Sequence, residues 1–144
     1  MERSVSVPLI AVDPGEEHVG IAIFDLLPSG SEFVHQAFTT THFGAIDLLK
    51  NAIEVRLMKQ LVVEQWRVYP GMANWSECRT AEVIGTLRNL CRWNDMPFAT
   101  LPARVKKPAV GFINRTGTEL KGDTVHARDA ELIGWAWVNG VRLT

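Results

Sequence analysis

The sequence has few cysteines, and their placement excludes two kinds of covalent or metal crosslink. Its 144 residues include only two cysteines, Cys78 and Cys91, within one predicted helix. A rise of about 1.5 Å per residue separates them by about 20 Å along that helix, which excludes a disulfide between them. Two cysteines without a zinc-type Cys/His spacing give no support for a structural zinc site.

Long apolar runs are also absent. No stretch approaches the roughly 18 residues that a bilayer span needs, and the N-terminus lacks a basic region followed by an apolar run. We therefore expect no membrane anchor, no signal peptide and no membrane partner, and a cytoplasmic protein. Hydrophobic residues make up 47% of the chain and charged residues 22%, so residues 1–144 are expected to form a single domain with its own core.

The charge is nearly balanced overall but unevenly distributed. A net charge of −1 for the whole chain argues against nucleic-acid binding. Residues 1–55 hold two Lys/Arg against eight Asp/Glu, whereas residues 56–128 hold twelve against six. Such asymmetry can place a basic face on a nearly neutral molecule. An ordinary mixed-charge surface explains the same composition equally well.

Apolar patterning predicts an α/β fold with the element order βββ-α-β-α-β-α and a mixed five-stranded sheet flanked by helices. The first three strands are typical of an antiparallel meander, and the first is apolar throughout, as in a central strand. The predicted strands cover residues 7–12, 19–24, 32–41, 61–64 and 98–101. The predicted helices cover residues 43–58, 77–94 and 124–138.

The segments between these elements are less regular. Residues 65–76 indicate a loop with three large aromatics, residues 102–111 a short helix interrupted by Pro108, and residues 112–122 an irregular loop. Leu57 in the first predicted helix and Trp137 in the last are assigned to buried faces by their spacing.

Two carboxylates stand where buried strands end. Asp13 precedes a Pro-Gly turn, and the carboxyl ends of central strands are where α/β folds collect ligands. Glu64 ends the strand at residues 61–64, where a pattern of buried residues favours Val or Ile, and an unpaired charge there is costly. Each also has an ordinary explanation. Asp13 fits a turn residue, and Glu64 fits a salt bridge to Arg67 or an exposed strand end.

The last predicted helix carries His126 and Asp129 three residues apart, so their Cβ atoms lie within about 5 to 6 Å on one face. Asp123 is expected to be the N-cap of this helix, and Glu131 to point to another face, into solvent. An exposed surface histidine is the ordinary interpretation of His126. Carboxylates and an imidazole from separate elements would instead form a site for Mg²⁺, with tolerance of Mn²⁺.

Four stretches, taken in order, resemble the RuvC Holliday-junction resolvases, which have the RNase H-like fold. They are a buried strand ending in Asp-Pro-Gly with a later Gly20 (AVDPGEEHVGIAIFD), a strand ending in Glu (VVEQW), a basic segment (PARVKKPAVG) and a helix that opens with a ligand pair (HARDA). The helix at residues 77–94 is also similar to the long helix that follows the family's second carboxylate. The resemblance spans essentially the whole chain.

The resemblance implies a crossover junction endodeoxyribonuclease that resolves four-way junctions by paired symmetric cuts. It implies that Asp13, Glu64, His126 and Asp129 are the catalytic residues and the metal ligands. Two divalent ions per active site, Mg²⁺ with Mn²⁺ as a substitute, would activate water and stabilise the leaving oxygen. A homodimer that binds branched DNA is implied, located in a bacterial cytoplasm or, if phage-encoded, in that of the host.

Basic and aromatic side chains supply the candidate DNA contacts. Phosphate-neutralising residues are expected ahead of the last helix, and in the resembled family an aromatic after the second carboxylate stacks on an unpaired base. The candidates are Lys106, Lys107, Arg115, Lys121, Arg67, Tyr69 and Trp66. Solvated lysines and a core tryptophan are the ordinary alternatives.

Other functions stay open at this point. A related nuclease acting on flaps, forks or single strands would carry the same site, because loops and dimer geometry determine the substrate. A non-catalytic DNA-binding protein of the same fold is a further alternative. The Asp-x-Gly turn also occurs in sugar-kinase-type ATPases, but those need a second comparable domain and 144 residues leave no room for one.

Overall fold

The computed structural model describes residues 6–65 and 75–140, with only the backbone at positions 75–78. Its strands are β1 (Leu9–Pro14), β2 (His18–Leu26), β3 (Glu32–Thr41), β4 (Leu61–Glu64) and β5 (Phe98–Leu101). Its helices are α1 (His42–Glu54), α2 (Trp75–Trp93), α3 (Lys106–Thr116) and α4 (Val125–Val138), with a 3₁₀ turn at Ala103–Val105. The predicted order of elements is confirmed, and the short helix expected within residues 102–111 is α3, which extends beyond that range.

The five strands form one mixed sheet in the order β3-β2-β1-β4-β5. β1 pairs antiparallel with β2, and β2 with β3, whereas β4 lies parallel to both β1 and β5. β1 is thus the central strand, as its continuous apolar sequence predicts. The predicted α/β class with a mixed five-stranded sheet is correct.

Helices cover both faces of the sheet, and alternate side chains of β1 pack against different helices. Ile10 and Val12 belong to the core beneath α1 and α2. Leu9 and Ala11 belong to the core beneath α3 and α4. Because side chains alternate along a strand, the face of any residue in β1 follows from its parity, and odd-numbered residues face α4.

The loop predicted at residues 112–122 is wrong over its first half, because α3 continues to Thr116. Pro108 does not interrupt this helix, since it lies in the first turn, where backbone N–H groups have no partner within the helix. The helix instead ends at Gly117, whose φ of 70° is the left-handed conformation that glycine adopts readily. The Gly after Thr116 was the sequence signal for that end.

Two residues assigned to buried faces are exposed. Leu57 is 40% exposed because α1 ends at Glu54, so the helical spacing no longer applies to it. Trp137 is 38% exposed near the end of α4. Among the described residues, no helix is long and apolar enough to cross a membrane.

Candidate active site

Asp13 and Glu64 lie at adjacent strand ends on the face that α4 covers. β1 and β4 run parallel with Val12 opposite Val63, so the next residue of each strand is a carboxylate. Asp13 shares its parity with Ala11, and Glu64 shares its parity with Val62, and both apolar residues pack in the core beneath α4. Asp13 is only 5% exposed. The two strands therefore place two carboxyl groups side by side at the sheet edge.

α4 brings His126 to this pair. Thr124 caps the helix by accepting a hydrogen bond from the backbone N–H of Ala127, so the prediction that Asp123 is the N-cap is wrong by one residue. The His126 Nδ1 atom lies 2.9 Å from the Asp13 Oδ2 atom. A threonine hydroxyl caps a helix as a carboxylate does, which explains why the sequence alone did not distinguish the two positions.

Two glycines let His126 approach the sheet. A Cβ atom at Gly20 would lie 2.0 Å from the His126 carbonyl oxygen, and one at Gly15 would lie 2.5 Å from the imidazole Cε1 atom. Gly20 is paired with Asp13 in the antiparallel register, so the gap opens directly beside the carboxylate. From the sequence, Gly20 stands out only as part of a motif, and the positioning role of Gly15 is not predicted. The Pro-Gly step after Asp13 was the available signal.

The turn after Asp13 is fixed by contacts from α1 and α2. The Gly15 carbonyl oxygen lies 2.9 Å from His42 Nε2 and accepts a hydrogen bond of 3.2 Å from the Thr80 hydroxyl. Neither side chain was a candidate from sequence, because nothing local links either to residue 15. Together they hold the glycine against which the His126 ring packs.

Lys106 connects the remaining two carboxylates. Its ammonium lies 2.8 Å from Glu64 Oε1 and 3.3 Å from Asp129 Oδ2. The structure thus brings all four predicted ligands into one connected cluster, with contacts running from His126 through Asp13, Glu64 and Lys106 to Asp129. Lys106 itself was predicted to bind DNA, whereas its ammonium here lies among the carboxylates.

Burial and neighbouring charges shift the pKa values of Asp13 and Glu64. Burial, the hydrogen bond with Asp13 and the negative charge of Asp13 raise the pKa of Glu64 to about 7, against the opposing effect of Lys106. Burial and the charge of Asp129 raise the pKa of Asp13, while Glu64 and Lys106 oppose this. Burial lowers the pKa of Lys106, but the two carboxylates outweigh it and the net shift is upward. The cluster therefore favours any additional positive charge.

Glu131, on α4, is a buried carboxylate outside the cluster, and the prediction that it is solvated is wrong. It is fully buried and accepts hydrogen bonds from the backbone N–H groups of Lys121 and Gly122, at 2.7 and 2.9 Å. Burial raises its pKa, and these hydrogen bonds act in the opposite direction. Glu131 fastens the segment that leads into α4, a contact across nine or ten residues that no local pattern indicates.

The other predicted DNA contacts separate into two groups. Lys107, Arg115 and Lys121 are exposed, in α3 or in the segment between α3 and α4. Trp66, Arg67 and Tyr69 lie outside the described residues.

The donor set of the cluster fits a divalent ion chemically. Three carboxylates and one imidazole are the ligand types that Mg²⁺ and Mn²⁺ accept. In the described part of the chain, however, no three such side chains converge closely enough to share one ion. Lys106 contacts one oxygen of Glu64 and one oxygen of Asp129. Its ammonium provides the positive charge between them.

Comparison with solved structures identifies the fold. The chain is similar to RuvC of Thermus thermophilus, both in complex with a Holliday junction substrate (TM-score 0.65) and in a second structure (TM-score 0.64), at 12% identity over 89% of this chain. These matches cover 90% and 91% of the two RuvC chains. It is also similar to the yeast mitochondrial Holliday junction resolvase Ydc2, with a TM-score of 0.59 and 13% identity over 92% of this chain and 78% of that chain.

No family model matches the sequence, and no curated protein matches it. The likeness therefore lies in the arrangement of the chain, at a sequence identity that shows fold and not activity. The mixed five-stranded sheet with helices on both faces is the RuvC-type, RNase H-like fold.

Proposed function

We propose that the protein is a divalent-metal-dependent endonuclease that resolves four-way DNA junctions. One observation carries the proposal. Asp13, Glu64, His126 and Asp129, from three separate elements, form a connected, partly buried cluster at the carboxyl ends of two parallel strands. Support also comes from the fold, because one of the similar structures is a RuvC in complex with a Holliday junction substrate.

In this proposal, Asp13, Glu64, His126 and Asp129 hold the ions, two per site. Bound ions supply Lewis acidity at the scissile phosphate and lower the pKa of the attacking water. The chain's own residues hold the ligands in position. His126 fixes the Asp13 carboxylate through the 2.9 Å contact, and the Gly15 turn fixes His126. A bound cation would favour the ionised form of Glu64, because its positive charge would oppose the shift that raises the pKa of this residue.

Exposed basic side chains support DNA binding next to the cluster. Lys107 directly follows Lys106 at the start of α3, and Lys121 lies in the segment that Glu131 fastens to α4. Both therefore have backbones that are fixed relative to the site. With Arg115 they form a group of three positive charges that can neutralise phosphates flanking the cut. A two-fold homodimer would supply the second active site that paired symmetric cuts require.

The test is cleavage of labelled four-way junction, fork, flap, single-stranded and duplex DNA by the full chain with Mg²⁺, Mn²⁺ or EDTA. We expect paired symmetric nicks in the junction with either metal and none with EDTA. Cutting mainly at flaps or single strands would support the metal site but would show that the substrate is not a four-way junction. Junction binding with no cleavage of any substrate would replace the proposal with a non-catalytic DNA-binding protein.

A further inference from the structure

Lys106 is placed as a cation inside the carboxylate cluster. Its side chain is 24% exposed, and the carboxylates of Glu64 and Asp129 that it contacts are 12% and 27% exposed. Lys107, one residue on, is exposed. Val105 is fully buried beside Lys106 and fixes the backbone from which the lysine extends. The start of α3 therefore directs one of two consecutive lysines into the site.

Without this ammonium, the cluster would hold three carboxylates at close range. Burial raises the pKa of both Asp13 and Glu64 even with Lys106 present, and a neighbouring negative charge adds to each shift, that of Asp129 for Asp13 and that of Asp13 for Glu64. Lys106 opposes the shift in both residues. The single positive charge on the flexible Lys106 side chain therefore reduces the repulsion among the carboxylates when no metal ion is bound.

A metal ion shared by Glu64 and Asp129 would need the position that the Lys106 ammonium occupies. Glu64 and Asp129 are donated by different elements, and the Lys106 ammonium contacts one oxygen of each. An ion that takes both carboxylates as ligands must displace the ammonium, because two cations cannot occupy one position between the same oxygens.

We propose that Lys106 is an internal counter-ion that closes the metal-free site and leaves it when a divalent ion binds between Glu64 and Asp129. This inference rests on the proposed function, because it assumes that the cluster is a metal site. Lys106 then lowers the apparent metal affinity by the fraction of molecules in which the ammonium has moved out. It also prevents repulsion among the carboxylates while the site holds no metal.

The first test measures metal binding by the full chain without DNA. Mn²⁺ and Mg²⁺ are titrated calorimetrically into the unaltered protein, Lys106→Met, Lys107→Met and Asp13→Asn. Lys107→Met is the matched control, because it removes the same charge from the exposed side chain of the next residue. We expect Lys106→Met to bind the metal about tenfold more tightly than Lys107→Met, which corresponds to about 1.4 kcal/mol. We also expect a lower thermal midpoint for metal-free Lys106→Met and a larger rise on adding metal.

The outcomes separate the inference from the function on which it rests. Metal binding that needs Asp13 but is equal in Lys106→Met and Lys107→Met overturns the role of Lys106 and leaves the metal site intact. No metal binding by any of the proteins, Lys106→Met included, overturns the proposed function itself. A gain in affinity equal in the two lysine variants assigns the effect to net charge and also overturns the inference.

A second variant and a second measurement keep the inference testable if Lys106→Met does not fold. Lys106→Arg retains a cation that binds two carboxylates, so we expect metal affinity at or below that of the unaltered protein. A gain in affinity with Arg contradicts the proposal. In the unaltered protein, Mg²⁺ should move the NMR signal of the Lys106 ε-methylene group toward that of a solvated lysine and leave the Lys107 signal unchanged. A Lys106 signal that does not move contradicts displacement.

Discussion

Glu64 and Glu131 are two glutamates of low exposure on the α4 side of the sheet, Glu64 partly and Glu131 fully buried, and their partners differ in kind. Glu131 accepts hydrogen bonds from two backbone N–H groups, at 2.7 and 2.9 Å. Glu64 faces another carboxyl group, that of Asp13, and the Lys106 ammonium at 2.8 Å. Burial raises the pKa of both, but only in Glu64 does a neighbouring carboxyl group add to the rise.

The difference separates a structural carboxylate from a candidate functional one. Backbone N–H groups are fixed in number and place, so the Glu131 carboxylate cannot exchange them without unfolding the segment at residues 121–122. Side-chain partners can move, and a carboxylate held by another carboxyl group and a lysine can accept a metal ion instead. Burial alone does not distinguish the two glutamates, whereas the identity of their partners does.

The largest expected effect is on cleavage. Asp13→Asn removes one negative charge from the cluster and should lower junction cleavage by at least about 100-fold, the upper loss found when residues that merely support ligands are removed. Junction binding should persist, since basic residues elsewhere carry it. The measurement compares single-turnover cleavage and binding of a labelled junction.

Asp47→Asn is the matched control for Asp13→Asn, because Asp47 is exposed on α1. We expect it to cleave at the rate of the unaltered protein. Cleavage by correctly folded Asp13→Asn at that same rate would show that Asp13 is not an active-site residue. The difference between Glu64, which faces Asp13, and Glu131 would then not be a functional one.

Glu131→Ala tests whether the Glu131 carboxylate stabilises the fold. Loss of the carboxylate leaves two backbone N–H groups, one partly buried and one buried, without acceptors, so the free energy of unfolding should fall by about 3 kcal/mol. Urea unfolding monitored by tryptophan fluorescence measures this. Glu119→Ala, at an exposed glutamate, should change stability by less than about 0.5 kcal/mol. Equal stability of the two variants would mean that the fold does not depend on the Glu131 contacts.

The pH dependence of stability should differ between the two glutamates. The pKa of Glu64 rises from 4.5 to about 7 on folding, so the folded protein binds more protons than the unfolded chain between these values. Stability of the metal-free protein is therefore highest below pH 4.5 as far as Glu64 is concerned, and it falls as the pH rises to 7. Glu64→Gln should remove about 2 kcal/mol of that decline.

Urea midpoints at pH 5 and pH 7.5, with EDTA throughout, measure the Glu64 effect. Above pH 7, Glu64→Gln should be more stable than the unaltered protein, which is the opposite of Glu131→Ala. A decline with pH that is the same in Glu64→Gln and in the unaltered protein would show that Glu64 does not carry it.

Much of the fold follows from the sequence, because strand ends and helix periodicity are local signals. The apolar run ending at Asp13 correctly indicated a central strand. The end of α3 was missed because Pro108 was weighed as a helix breaker without regard to its place in the first turn.

The contacts within the site depend on tertiary structure and were not predictable in the same way. Lys106 reaches Glu64 from forty-two positions along the chain, and two other positioning contacts join Gly15 to His42 and to Thr80. Nothing in the local pattern distinguishes Lys106 from Lys107, so both were assigned to DNA. In the structure Val105 is fully buried, Lys106 contacts Glu64 and Lys107 is exposed.

Trp135 offers the smallest expected effect and the sharpest contrast with Glu131, which lies one turn away on α4. Its ring packs edge-on against Phe24 at 5.2 Å and tilted against Phe112 at 5.5 Å. In the described part of the chain, its buried indole Nε1 contacts no hydrogen-bond acceptor. Trp135→Phe keeps an aromatic ring and removes that unpaired donor, so the gain offsets the cost of the smaller ring and stability should change by less than about 1 kcal/mol. Urea unfolding beside Glu131→Ala, each variant monitored by circular dichroism, measures both. A loss as large as that of Glu131→Ala would mean that ring volume, and not the pairing of polar groups, determines the cost of changing a buried residue on this helix.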